Sequence, residues 1–250
     1  MPEKIAALIA RMEADLADLQ GADDIRRFFH ATYLRTTRAV AEEIDIGGFA
    51  DPEWLERWDL VFADLYLDAL AADRRGDAVA QPWRIAFDTA RSRPDLPPLR
   101  HVLLGLNAHI NYDLPQALIA VISPPEFDDP QLLGLRARDH KHVDDVLLNR
   151  VGDEDDELSA VSRLTLLDRL LRPLNRVATR RILTEARAKV WRNAVLLDRA
   201  RRSGPEAYTA LLGELEALCA ARLSELAAPG QVLLKLTRRG FGVVLPDAPS

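Results

Sequence analysis

The chain has 250 residues, of which 48% are hydrophobic and 29% charged, and a formal net charge of −6. That length buries a core without staples, and the single cysteine excludes an intrachain disulfide and a cysteine-based zinc site. The acidic balance argues against a nucleic-acid partner.

No apolar run reaches the ~18 residues that a membrane span needs. Charges at Glu3, Arg11, Glu13, Asp15 and Asp18 leave no room for a signal-peptide core. A single cytoplasmic domain over residues 1–250 is expected.

Ile5, Ile9, Met12, Leu16 and Leu19 recur every three or four residues and predict a first helix. A second is expected from Asp23 to Glu43. Asp51–Pro52 reads as an N-cap followed by proline at the first helical position. The third helix follows, with Trp54, Trp58, Val61, Phe62, Leu65 and Leu70 inward, and ends near Asp73 before Gly76. A fourth runs from Gln81 to Ala90.

Pro94, Pro97 and Pro98 make a stiff loop. The fifth helix starts at Pro98 and ends or kinks at about Leu114, because Pro115 has no N–H for the Asn111 carbonyl. Ser123–Pro130 reads as a loop and Gln131–Leu148 as the sixth helix. The acidic block Asp153–Glu157 reads as a solvated linker. Helices are then predicted over Leu158–Leu171 and Leu174–Leu197, with a last one from Pro205. Residues 231–245 are β-rich around Arg239–Gly240 and suggest a small hairpin. The fold class is all-α: one irregular bundle of about eight helices with a helical core at 3–227 and a C-terminal β-hairpin.

From Arg163 to Arg202 there are twelve basic residues against three acidic ones. Such a stretch can attract a phosphate group or an acidic partner, or pair with the acidic helices of its own fold, and in an acidic chain the second is expected. Cys219 lies on an apolar stripe and reads as a core thiol.

Chemistry concentrates in Leu103–Pro115. Asn107 and Asn111 lie four apart, and so do His109 and Asp113, so each pair shares a helix face in an apolar setting. The first reading is a metal-dependent hydrolase for an ester or phosphoester. His109, Asp113, Asp64 and Asp59 would hold a divalent metal (Zn, Mn or Fe), and Asp139 would complete the shell or act as base.

Two alternatives remain open. One is a metal-free isomerase or cyclase for an apolar small molecule, built on a His109–Asp113 dyad in a pocket walled by Trp58, Phe62 and Trp83, with Asn107 or Tyr66 donating to a developing oxyanion. The other is a non-enzymatic helical binding or scaffold protein. The absence of HExxH and of repeated ExxH weakens the metal reading. A small-molecule substrate is the expected partner, and Leu- and Ala-rich helix faces permit a homodimer. His140 is expected at the surface, and His30 and His142 in structural roles.

The run GLNAHINYDLP (105–115), with LVFADLYLDAL (60–70) and QPWRIAF (81–87), resembles an uncharacterised, mainly actinobacterial family of helical proteins, a domain of unknown function. The similarity extends from about Phe28 to about Leu197. It implies a helical fold and brings no activity, cofactor or site residue. The His109–Asp113 spacing is also similar to one used in helical zinc-dependent phospholipases and nucleases. That likeness implies zinc at those two residues, but the further histidine ligands of such enzymes have no clear counterparts here.

Overall fold

The apolar periodicity becomes helix almost wherever it occurs. The computed structural model describes residues 2–161, 172–230, 232, 235–236 and 240–246, with side chains described outside 144, 147–161 and 172–183. The helices are α1 (Glu3–Gly21), α2 (Arg27–Asp45), α3 (Pro52–Arg75), α4 (Gln81–Ser92), α5 (Pro98–Ala108), α6 (Leu114–Val121), α7 (Pro124–Asp128), α8 (Pro130–Val161), α9 (Arg172–Ser203) and α10 (Pro205–Ala227). A π turn, His109–Asp113, joins α5 to α6 without a break. None of the described helices is long and apolar enough to cross a membrane.

Helix α3 is the spine of the site. The Asp51 side chain accepts from Trp54 N at 3.0 Å, and Gly76 closes the helix in the left-handed region at φ 80°. Trp54, Leu55, Trp58, Asp59, Phe62, Ala63, Tyr66, Leu67 and Leu70 are buried, a stripe with helical period. Helix α2 starts at Arg27, not at Asp23. Asp23 sits at φ 51° in the turn after α1, and the Asp24 carboxylate accepts from Arg26 N at 2.9 Å.

Helix α1 lies against α2 and α3, and α5 packs on α2, α4 and α10. Helix α6 runs between α3 and α9. The arrangement surrounds the π turn with aromatic side chains from three other helices: Phe29 and Tyr33 from α2, Phe62 and Tyr66 from α3, and Trp83 from α4.

Four expectations change. Proline at 115 does not end the fifth helix. The chain widens by one residue ahead of it, so that Leu114 N–H bonds back to the His109 carbonyl, five residues away. The segment 123–130 is not plain loop, because Ser123 and Glu126 form a capping box for α7. The acidic block 153–157 lies inside α8 rather than in a linker, and the helix predicted at 158–171 falls partly outside the described residues.

No hairpin forms among the described residues of the tail. Val232 and residues 235–236 are helical, and 242–246 are irregular, with no strand beside them among the described residues. The basic stretch turns onto its own fold as expected. Arg187 donates to the His140 carbonyl at 2.8 Å, Arg201 to the Ile122 carbonyl at 2.7 Å, and Arg202 pairs with Asp128 and Asp198.

Candidate functional site

In a helix, a side chain two residues on points about 200° further round. Asn107 and Asn111 therefore face one way, and His109 and Asp113 the other. His109 and Asp113 are each 2% exposed. His109 Nδ1 lies 2.9 Å from Asp113 Oδ2, and the same oxygen accepts the indole N–H of Trp83 at 2.9 Å. The imidazole is stacked on Phe62, with ring centroids 3.6 Å apart and planes 4° from parallel. Tyr33 meets it edge-on at 4.4 Å.

Burial sets the charge of this pair. It holds the His109 imidazole well below its ordinary value and the Asp113 carboxyl well above its own. The pair is therefore neutral: a carboxylic acid beside a neutral imidazole. Trp83 donates to Oδ2, and the His109 Nδ1–Asp113 Oδ2 bond carries one proton, from whichever partner the imidazole tautomer makes the donor.

Asp113 also forms part of the wall of an open cleft of about 280 Å³, with Leu65, Asp68, Trp83, Tyr112 and Gln116 around it. No arginine or lysine lines that cleft. Asp68 is a solvent-facing carboxylate, its side chain 78% exposed and 3.6 Å from Arg11.

The other sequence candidates are dispersed. Asp59 is buried on α3, near enough to Tyr33 for its charge to raise that hydroxyl. Among the described residues, its Oδ2, Tyr33 Oη and His109 Nε2 are buried with no hydrogen-bond partner. Asp64 points away, with its side chain 54% exposed, and pairs with Arg11 at 2.9 Å. Asp139 lies elsewhere: its two oxygens accept from Ala50 N and Asp51 N, both at 2.9 Å, and so tie α8 to the start of α3. Asn107 turns from the dyad to donate to the Phe241 carbonyl at 3.0 Å.

Tyr66 is also occupied. His30 Nε2 must donate to the Met12 carbonyl at 2.8 Å, so His30 Nδ1 accepts the Tyr66 hydroxyl at 3.0 Å. The expected metal shell of His109, Asp113, Asp64 and Asp59 does not assemble. Among the described residues, no three His, Cys, Asp or Glu side chains converge on one point where a metal ion could bind.

His140 is buried rather than at the surface, tilted between Trp58 at 5.5 Å and Trp191 at 5.4 Å. His30 is a core residue, His142 pairs with Glu43 at 2.9 Å, and Cys219 is a buried thiol.

Two roles went unread in the sequence. Trp83 was expected only as an apolar wall, yet its indole N–H holds the Asp113 carboxyl. Asn111 was expected as a candidate ligand contact, yet it grips the tail. The only sequence signal for the second was the alternation of Phe241, Val243 and Leu245.

The Asp139 assignment gives a direct test. Asp139→Ala leaves two main-chain amides without their carboxylate. Water reaches the exposed Ala50 more readily than the half-buried Asp51, so the net loss is expected to be about 2 kcal/mol, read from the urea midpoint.

No curated protein and no solved structure matches this chain. A family model described as a family of unknown function (DUF5995) matches residues 5–229. With nearly the whole helical bundle inside that match, including the π turn and the aromatic shell around it, the chain belongs to the DUF5995 family.

Proposed function

We propose that the chain is a hydrolase that works without a metal, with Asp113 as general acid, on a small uncharged ester- or glycoside-type substrate. One observation supports this: a buried carboxyl, held through one oxygen by an imidazole and an indole, forms part of the wall of an open cleft. A carboxyl kept neutral by burial has a proton to give at neutral pH, and the exposed carboxylate of Asp68 on the same cleft supplies the contrasting base.

In this reading Asp113 protonates the leaving-group oxygen. Water attacks and gives its proton to Asp68. His109 steadies the Asp113 carboxylate that results. With Asp68 and Asp113 among its lining residues and Arg11 turned to Asp68, the cleft suits an uncharged substrate better than a phosphoester.

The test uses p-nitrophenyl acetate, p-nitrophenyl glycosides and p-nitrophenyl phosphate. Turnover is expected with the first or second and not with the phosphate, and a chelator leaves it unchanged. Asp113→Asn keeps an acceptor for Trp83 but has no proton to donate as an acid, so kcat is expected to fall by about 10² or more. Turnover that survives Asp113→Asn, or that the chelator abolishes, overturns the reading.

A further inference from the structure

The face of the π turn opposite the dyad holds the chain's tail. The C-terminal segment 241–245 lies across it, with Phe241, Val243 and Leu245 buried. The amide of Asn111 donates to the Phe241 carbonyl at 3.1 Å and accepts from Val243 N at 3.3 Å. Asn193 of α9 repeats the pattern one step on. It donates to the Val243 carbonyl and accepts from Leu245 N, both at 3.0 Å. Main-chain groups of alternate residues in a strand share one edge, so the two side-chain amides stand where a neighbouring strand would present its peptides.

The opposite edge is held at Gly242, whose carbonyl receives Lys189 Nζ at 3.3 Å. A Cβ at Gly242 would stand 2.9 Å from Ala186 Cα, so only glycine lets the segment lie this close to α9.

A π turn is a poorer hydrogen-bonded register than α-helix and needs support from its surroundings. Here that support falls on residues 107 and 111, which alternate with the dyad residues 109 and 113. We infer that the segment 241–245 is the latch of the π turn and that Asn111 is a positioning residue: by gripping the strap, it holds Asp113 in the register that lets it meet Trp83. Release of the strap lets the turn tighten toward α-helix. His109 and Asp113 stay on one face, but the residues after the turn rotate relative to α4, and Asp113 leaves the Trp83 indole. The inference rests on the dyad reading for its catalytic consequence, but its test reads geometry and not turnover, so either can fail alone.

The full-length protein tests it through two protons. One is the Trp83 indole N–H, which marks the dyad. The other is the Val243 amide, which marks the strap. In native-state hydrogen exchange the two are expected to open together, with protection equal to within about threefold. An indole protected far beyond Val243 means that the strap opens while the dyad stays intact, which overturns the inference.

Full-length Gly242→Val and Asn111→Ala give the second reading. Each is expected to keep helical circular dichroism and to shift the hydrogen-bonded Trp83 indole N–H resonance. Each also speeds Trp83 indole exchange by about tenfold or more. A native Trp83 indole resonance and exchange rate, alongside fast-exchanging amides at 243 and 245, overturns the inference as well.

Discussion

Gly105→Ala is expected to destabilise the protein by about 3 kcal/mol, although alanine is the better helix former by about 1 kcal/mol. Gly105 lies in α5 directly against the Phe29 ring. A Cβ there would stand 2.3 Å from Phe29 Cγ and 2.5 Å from Cδ2, where carbon atoms normally keep about 3.5–4.0 Å.

The pocket beside the ring measures only about 20 Å³, too little for the ring to retreat into. Tyr66 meets it edge-on at 4.9 Å, Trp83 lies at 5.7 Å, and Tyr33 and His109 both at 6.0 Å. The methyl therefore strains the same aromatic shell that orients the imidazole. Urea unfolding reads the loss as a lowered midpoint at unchanged slope. The cause is checked by removing the ring. In a Phe29→Leu background, Gly105→Ala is expected to cost less than half as much, because the clash partner is gone. A full cost in both backgrounds would place the strain elsewhere.

How much of this was legible depends on whether the decisive interaction is local. The α3 stripe was legible. Residues 54, 58, 62 and 66 recur every four, Asp51–Pro52 marks the start, and Gly76 lies just past the end. That stripe also separates Asp59 from Asp64: position 59 belongs with 55, 62 and 66, while position 64 lies about 200° round from 62. The position of Asp139 was not legible, because its partners are two main-chain amides some 88 residues earlier and spacing along α8 carries no trace of them.

The GLNAHINYDLP run was half legible. Periodicity paired 107 with 111 and 109 with 113, and the apolar context placed polar groups inside. It did not show that both pairs are buried, on opposite faces and against different partners. The tail was half legible for the same reason. The alternation of Phe241, Val243 and Leu245 is a strand pattern, but the amides that complete it belong to side chains on α5, the π turn and α9, and not to a second strand. The acidic run 153–157 misled because a solvated charged face suits a helix as well as a linker.

Asp59→Asn is expected to stabilise the protein, increasingly so as pH rises. Asp59 is 6% exposed, its Oδ2 has no hydrogen-bond partner, and burial alone pushes its carboxyl up to about 7. In the unfolded chain it titrates near 4. Between about pH 4 and 7, the unfolded chain gives up this proton while the folded protein keeps it. The folded state binds more protons in that window, so Asp59 makes stability fall as pH rises. Three pH units at 1.36 kcal/mol each set the penalty above pH 7 at about 4 kcal/mol.

The amide that replaces the Asp59 carboxyl fills nearly the same volume, has no such proton to lose, and removes most of that penalty. Other buried groups complicate the absolute pH profile. Asp113 acts in the same direction as Asp59. His30, His101, His109 and His140, all lowered by burial, act in the opposite direction, since the unfolded chain protonates them first as pH falls. The informative quantity is therefore the difference between variant and native protein, in which these contributions cancel. It is expected to be near zero at pH 4 and to grow to about 3 kcal/mol by pH 8, measured from urea midpoints across the series. A difference that stays constant with pH would mean that Asp59 titrates as an ordinary carboxylate and has found water or a cation in the folded protein.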